Sequence, residues 1–141
     1  MCATLAGAAV AGPYNRLQVL LPGETAAPGT GSGKTGTPRA QTVGVPFSIT
    51  VRACDNTWTT VASVTNAMQV LSSNANATLP APAQLVNGTA TFSVTFNASG
   101  TFSVFVHDQT DGTIPDGTSA SVAALVLQGF VFNTERTSIY R

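Results

Sequence analysis

The chain has 141 residues, of which 43% are apolar and only 9% charged, with six Lys and Arg balancing six Asp and Glu. That length is one ordinary domain around one core, and the absence of a basic excess argues against a nucleic-acid partner, because phosphate binding draws on clustered Lys and Arg. There is no run of about 18 apolar residues, so a membrane-spanning helix is excluded at the usual threshold and no membrane insertion is expected.

The opening MCATLAGAAVAG carries an A-x-A cleavage pattern at Ala9-Val10-Ala11 but has no basic n-region and no full apolar h-region. Residues 1–15 read as an apolar N-terminal segment and a candidate exchanged strand. Arg16 to Leu21 is a short apolar strand stopped by Pro22-Gly23. From Glu24 to Pro46 the chain is rich in Gly, Pro and Thr, which predicts a long surface connection with one edge strand near Thr42 and Val43.

The pattern then sharpens. In FSITVRA, Phe47, Ile49, Val51 and Ala53 alternate with Ser48, Thr50 and Arg52, a period of two that marks a half-buried strand. ATFSVTF repeats it with Ala90, Phe92, Val94 and Phe96, and TFSVFVH with Phe102, Val104 and Val106. Asn97 to Gly100 between the last two has the length and chemistry of a hairpin loop. Shorter strands are expected at 59–64, 68–72 and 84–86, the last before an Asn87-Gly88 turn. Residues 121–132 are apolar on both faces at Leu125-Val126-Leu127 and Phe130-Val131-Phe132, so something should cover both sides. About eight short strands with regular turn signals and no amphipathic helix predict an all-β chain, an immunoglobulin-like antiparallel β-sandwich of 7–9 strands over residues 16–132, with a tail at 133–141.

The chemistry-bearing motifs are few. Gly33-Lys34-Thr35 ends like a phosphate-binding loop, but the first glycine position falls on Pro28 and Gly36-Thr37-Pro38 stands where a helix must begin. A flexible polar loop is the better reading. His107 is the single histidine, and it continues the polar face of its strand, so a nucleophilic triad with Asp108 is not supported. One His and two distant Cys give no zinc site. Asp108, Asp111 and Asp116 crowd one Gly-rich loop and are the candidates for calcium, with turn-making as the competing reading. No other cofactor and no enzymatic activity is expected. Cys2 and Cys54 are candidates for a disulfide, Cys54 being placed on the outer face or at a strand end, with two free thiols as the alternative. Asn76, Asn87 and Asn97 each open a glycosylation sequon.

With these residues in place, Leu17 to about Val122 resembles the Ig-like modules strung along large bacterial surface and secreted proteins. The resemblance rests on LQVLLPGETAAPGT, KTGTP, PFSITVRACDNTW, NATLPAPAQLVNGTATFSVTF and ASGTFSVFVHD. It implies an extracellular location and a structural or adhesive task, and it brings no catalytic residues with it. A single sandwich with apolar ends suggests a secreted structural protein that self-assembles into a filament or surface layer by strand exchange with its neighbours. Leu5, Val10, Tyr14, Leu125, Leu127, Phe130 and Phe132 are the candidate assembly residues, with packing of both ends on their own domain as the rival. The alternative function is an adhesin-type module recognising carbohydrate or a host protein, for which Trp58, Phe105, Tyr14 and Tyr140 are the aromatic candidates.

Overall fold

The computed structural model describes residues 10–127. Cys2, Leu5, Phe130, Phe132, Tyr140 and the tail at 133–141 lie outside the described residues. In chain order the strands are β1 (Arg16–Leu20), β2 (Glu24–Ala26), β3 (Lys34–Gly36), β4 (Gln41–Thr42), β5 (Phe47–Cys54), β6 (Ala67–Ser72), β7 (Ala83–Gln84), β8 (Thr89–Val94), β9 (Gly100–Phe102), β10 (Val104–Asp108), β11 (Gly117–Thr118) and β12 (Val122–Leu125). Among the described residues there is no helix.

One face of the molecule is the sheet β1-β5-β8, antiparallel throughout. The opposite face is built from β11-β10-β6-β7 and β4-β12-β9. These two run on from each other, since only Ser103 separates β9 from β10 and only residues 119–121 separate β11 from β12. At the join Ser119 is buried; its hydroxyl accepts from the Val104 amide at 2.9 Å and donates to the Ala120 carbonyl at 2.7 Å. A side chain thus satisfies a ladder group that the bend leaves unpaired. All pairings are antiparallel except β4 with β12, which is parallel.

The period of two decides the core. Phe47, Ile49, Val51 and Ala53 from β5 and Phe92 and Val94 from β8, with Phe96 just beyond it, face Met68 and Val70 from β6, Val104 and Val106 from β10 and Val122 and Ala124 from β12. Phe96 is fully buried and lies between Phe47 and Phe102 in tilted contacts, ring centroids 5.0 and 5.3 Å away. The result is the expected all-β, immunoglobulin-like sandwich.

Several local expectations give way. The 24–46 connection is not featureless: β2 and β3 pair as a hairpin, held by a Lys34–Glu24 ion pair at 2.9 Å and by Glu24 accepting from the Leu21 amide. Asn97 to Gly100 is not a hairpin loop, because β8 pairs with β5 while β9 pairs with β12. Alternation shows which face is buried, and both strands bury theirs in the same core, but from opposite sheets. Residues 59–64 form no strand; a bridge at Cys54–Thr60 and turns hold them while Val61 and Val64 fill the core. The run from Ser121 forms a strand only at 122–125, and Leu125, Val126 and Leu127 are exposed rather than covered among the described residues. Cys54 is not on an outer face: it is fully buried, because the 55–60 turn closes over the end of β5.

Candidate functional site

The register of β5 gives the molecule two ends, one at Cys54 and one at Phe47. Two buried carboxylates organise the Cys54 end. Asp55 Oδ1 accepts from the Thr57 amide and hydroxyl, both at 2.8 Å, and from the Thr59 amide at 3.0 Å, while Oδ2 accepts from the Gly12 amide at 2.7 Å. Asp108 Oδ2 accepts from the Tyr14 hydroxyl at 2.7 Å and Asn66 Nδ2 at 2.8 Å, and its Oδ1 from the amides of Thr110 and Asp111. The Gly12 amide, assisted by Thr57 and Thr59, holds the Asp55 carboxyl well below the usual range. Burial opposes ionisation of Asp108, but its four donors outweigh burial and hold it low as well. Burial, then the hydrogen bond to Asp108, pushes the Tyr14 phenol far up. The segment leading into β1 is therefore fastened at Gly12 and at Tyr14.

The same end carries a groove. Trp58 sits in the Asp55 turn with φ +67°, a left-handed conformation held by its amide donating to the Asp55 carbonyl. Its indole N–H donates to the Gly31 carbonyl at 3.2 Å, and the Arg16 guanidinium lies 4.8 Å over its ring, a cation–π contact. Below the ring, the outward face of the β1-β5-β8 sheet is sealed. Gln18 and Arg52 are buried there: Arg52 donates to Gln18 Oε1, the Trp58 carbonyl and Thr60 Oγ1, and Gln18 donates to the Gly33 carbonyl. Asn15, Arg16, Leu17, Trp58, Pro115, Asp116, Gly117 and Thr118 line a groove of about 330 Å³ above this seal.

The candidate residues are distributed as follows. Asp108, Asp111 and Asp116 do not converge on a calcium site: Asp108 is spent as described, Asp111 caps the Thr113 amide and hydroxyl, and Asp116 pairs with His107 at 2.8 Å. Among the described residues no cluster of three or more His, Cys, Asp or Glu could hold a metal ion. His107 and Asp108 do not face each other as a dyad. Lys34 belongs to a hairpin instead of a phosphate loop. Asn76 and Asn87 are exposed, and Asn97 is exposed with its amide donating to the Asn76 carbonyl and Thr78 hydroxyl. Burial pushes the Cys54 thiol up. Tyr14 packs half-buried on the core, Val10 stands exposed, and Leu125 and Leu127 project at the Phe47 end.

Arg16, Asn15, Asp116 and Thr118 come together as groove residues without any sequence motif. Trp58 is legible as an aromatic outside the alternating core pattern, and Asp116 only as one of the loop carboxylates considered for calcium.

No protein-family model matches the chain, and no curated protein matches it. Solved structures do. A β-glucuronidase of Parabacteroides merdae superposes with TM-score 0.55 at 14% identity, over 82% of this chain and 13% of that one. A glycosyl hydrolase family 2 member from Bacteroides cellulosilyticus gives 0.54 at 10%, over 82% and 15%. The D00-D0 domain of Intimin gives 0.50 at 15%, over 62% and 43%. This chain spans less than half the length of each of these, and identities at this level carry the fold alone, an Ig-like β-sandwich.

Proposed function

We propose that this chain is an extracellular structural module of bacterial-surface type whose copies join end to end into a filament or surface layer. One observation carries the reading: the chain enters and leaves the sandwich at opposite ends, and its exposed large hydrophobic side chains gather at those ends. The lead-in crosses the Cys54 end through Gly12 and Tyr14, while β12 runs toward the Phe47 end, where the Val43 amide donates to the Leu125 carbonyl. Val45, Leu71, Leu125, Val126 and Leu127 are exposed near the Phe47 end, Val10 and Val86 near the other. Two ends that expose different apolar side chains, separated by the length of an eight-residue strand, about 26 Å, suit a head-to-tail contact that does not close on itself.

The role so proposed is not catalytic. Asp55, Asp108 and Glu24 support that view, since each spends its oxygens on holding neighbouring chain or an ion pair. Exchange of β12 or of residues 12–14 would first break pairings these segments make within their own sandwich, so direct end contact is the simpler joint.

Electron microscopy and sedimentation of the full chain beside a Leu125→Lys, Leu127→Lys double variant test this reading. Elongated, concentration-dependent particles that the variant abolishes are the expected result. Monomers at every concentration from both would overturn self-assembly and favour the second reading, an adhesin-type binding module, which the groove beside Trp58 supports.

A further inference from the structure

We infer that the groove beside Trp58 is a binding site for a neutral, hydroxyl-rich saccharide. The inference rests on the adhesin-type reading of that groove and is independent of end-to-end joining.

The frame is rigid. Trp58 is fixed from its own turn, from the Gly31 carbonyl and by the Gly33 backbone packed against its ring. The far wall is fixed because Gly117 packs directly on Leu17, with no room for a side chain. A site held this way loses little freedom on binding.

The lining has an apolar part and a polar rim. Trp58 and Pro115 supply the apolar part of the lining, with the Arg16 guanidinium lying over the indole ring, so a sugar would meet the Pro115 ring and the Arg16–Trp58 pair rather than a bare indole face. Around them stand Asn15, Arg16, Asp116 and Thr118. Among the described residues no acceptor takes the two terminal amino groups of Arg16, whose Nε alone donates to Asn15 Oδ1. Asp116 engages His107 through Oδ1, leaving Oδ2 without a donor among the described residues.

The signs of charge select the ligand class. Arg16 and Asp116 line the same groove yet form no ion pair with each other. An anion that satisfies Arg16 meets the carboxylate of Asp116, and a cation that satisfies Asp116 meets the guanidinium. A neutral polyol avoids both penalties, because each hydroxyl both donates and accepts: it donates to Asp116 and accepts from Arg16. At about 330 Å³ the groove is at the small end for ligand sites. It fits one or two rings of a chain that continues into solvent.

Full-length 15N-labelled protein titrated with maltotriose, cellotriose, mannotriose and diacetylchitobiose tests the inference, with trigalacturonic acid and chitosan trimer as charged probes. Trp58 is the single tryptophan, so its indole N–H resonance reports the groove directly, alongside the amides of Arg16, Gly117 and Thr118. Saturable shifts of these resonances with a neutral probe, at millimolar affinity or tighter, are expected. Asp116→Asn and Thr118→Val should each weaken binding by about tenfold while thermal unfolding confirms that both variants fold. A response to a charged probe alone would overturn the neutral class while keeping the groove as a binding site. No response to any probe would overturn this inference, while the adhesin-type reading would then stand only for a protein ligand.

Discussion

Gln18 and Arg52 stand opposite each other in the β1–β5 register and hydrogen-bond on the outward side of their sheet, and both are buried. A long polar side chain at such a position normally reaches solvent. Here the β2–β3 hairpin and the Trp58 turn cover the pair, and every polar contact it makes runs to one of those elements or to its own partner. Arg52→Met removes the donor to Gln18, Trp58 and Thr60 at once and strands their acceptors. The expected loss is about 2–3 kcal/mol, read from urea unfolding, against less than about 0.5 kcal/mol for exposed Ser48→Ala on the same strand.

Gly33 separates two effects that glycines usually mix. Its φ is +75°, and an added Cβ would collide with the Trp58 ring and approach Gln18 Nε2 to 2.7 Å. Gly29 has φ +86° but an added Cβ there meets nothing within 4 Å. Gly29→Ala should cost only the conformational penalty, about 1 kcal/mol. Gly33→Ala adds the displaced indole and should cost at least about 2 kcal/mol more, with a shifted Trp58 fluorescence maximum as the independent sign that the ring has moved.

The sequence pattern carried the sandwich and lost the site, and the reasons are particular. Alternation in β5, β8 and β10 reports burial on one face, which is why Ile49, Val94 and Val106 were legible as core. It carries no information about which strand is the neighbour, so Asn97 to Gly100 looked like a hairpin when it is a crossing between sheets. Burial on the second face of β5 was also hidden, because Arg52 and Cys54 are covered by segments distant in sequence and irregular in pattern. The groove is assembled from three such segments, around Asn15, Trp58 and Asp116. None has a periodic signature, and only the fold brings them together.

Asp55 and Asp108 should make the protein acid-sensitive. Both carboxyls titrate below their ordinary values in the folded chain, so the folded state binds fewer protons than the unfolded one around and below pH 4. Their contribution is fully present above the unfolded value, about pH 4, and is lost as pH falls through the depressed folded values. Urea midpoints should be flat from about pH 5 to 7 and fall steadily below about pH 4. The Asp55→Asn, Asp108→Asn double variant should start lower at pH 7 and show a shallower acid decline. An equally steep decline in that variant would place the acid sensitivity elsewhere.

Cys54 tests whether a bridge to Cys2 is compatible with the native sandwich. The thiol is fully buried, 3.8 Å from the Arg52 carbonyl, and burial pushes it away from the reactive thiolate. A disulfide would have to bring a partner sulfur within about 2 Å of this one, past the turn that Asp55 and Thr59 close over it. In a Cys2→Ser variant, the remaining thiol should react with an aromatic disulfide reagent no faster than the protein opens, and at once in denaturant. Asp55→Ala, which loosens the covering turn, should raise the native rate at least about tenfold, since losing a buried acceptor of several hydrogen bonds costs more than about 1.4 kcal/mol of local closure. Rapid native labelling in the Cys2→Ser variant would mean that the 55–60 turn opens freely and that a bridge to Cys54 is compatible with the native sandwich.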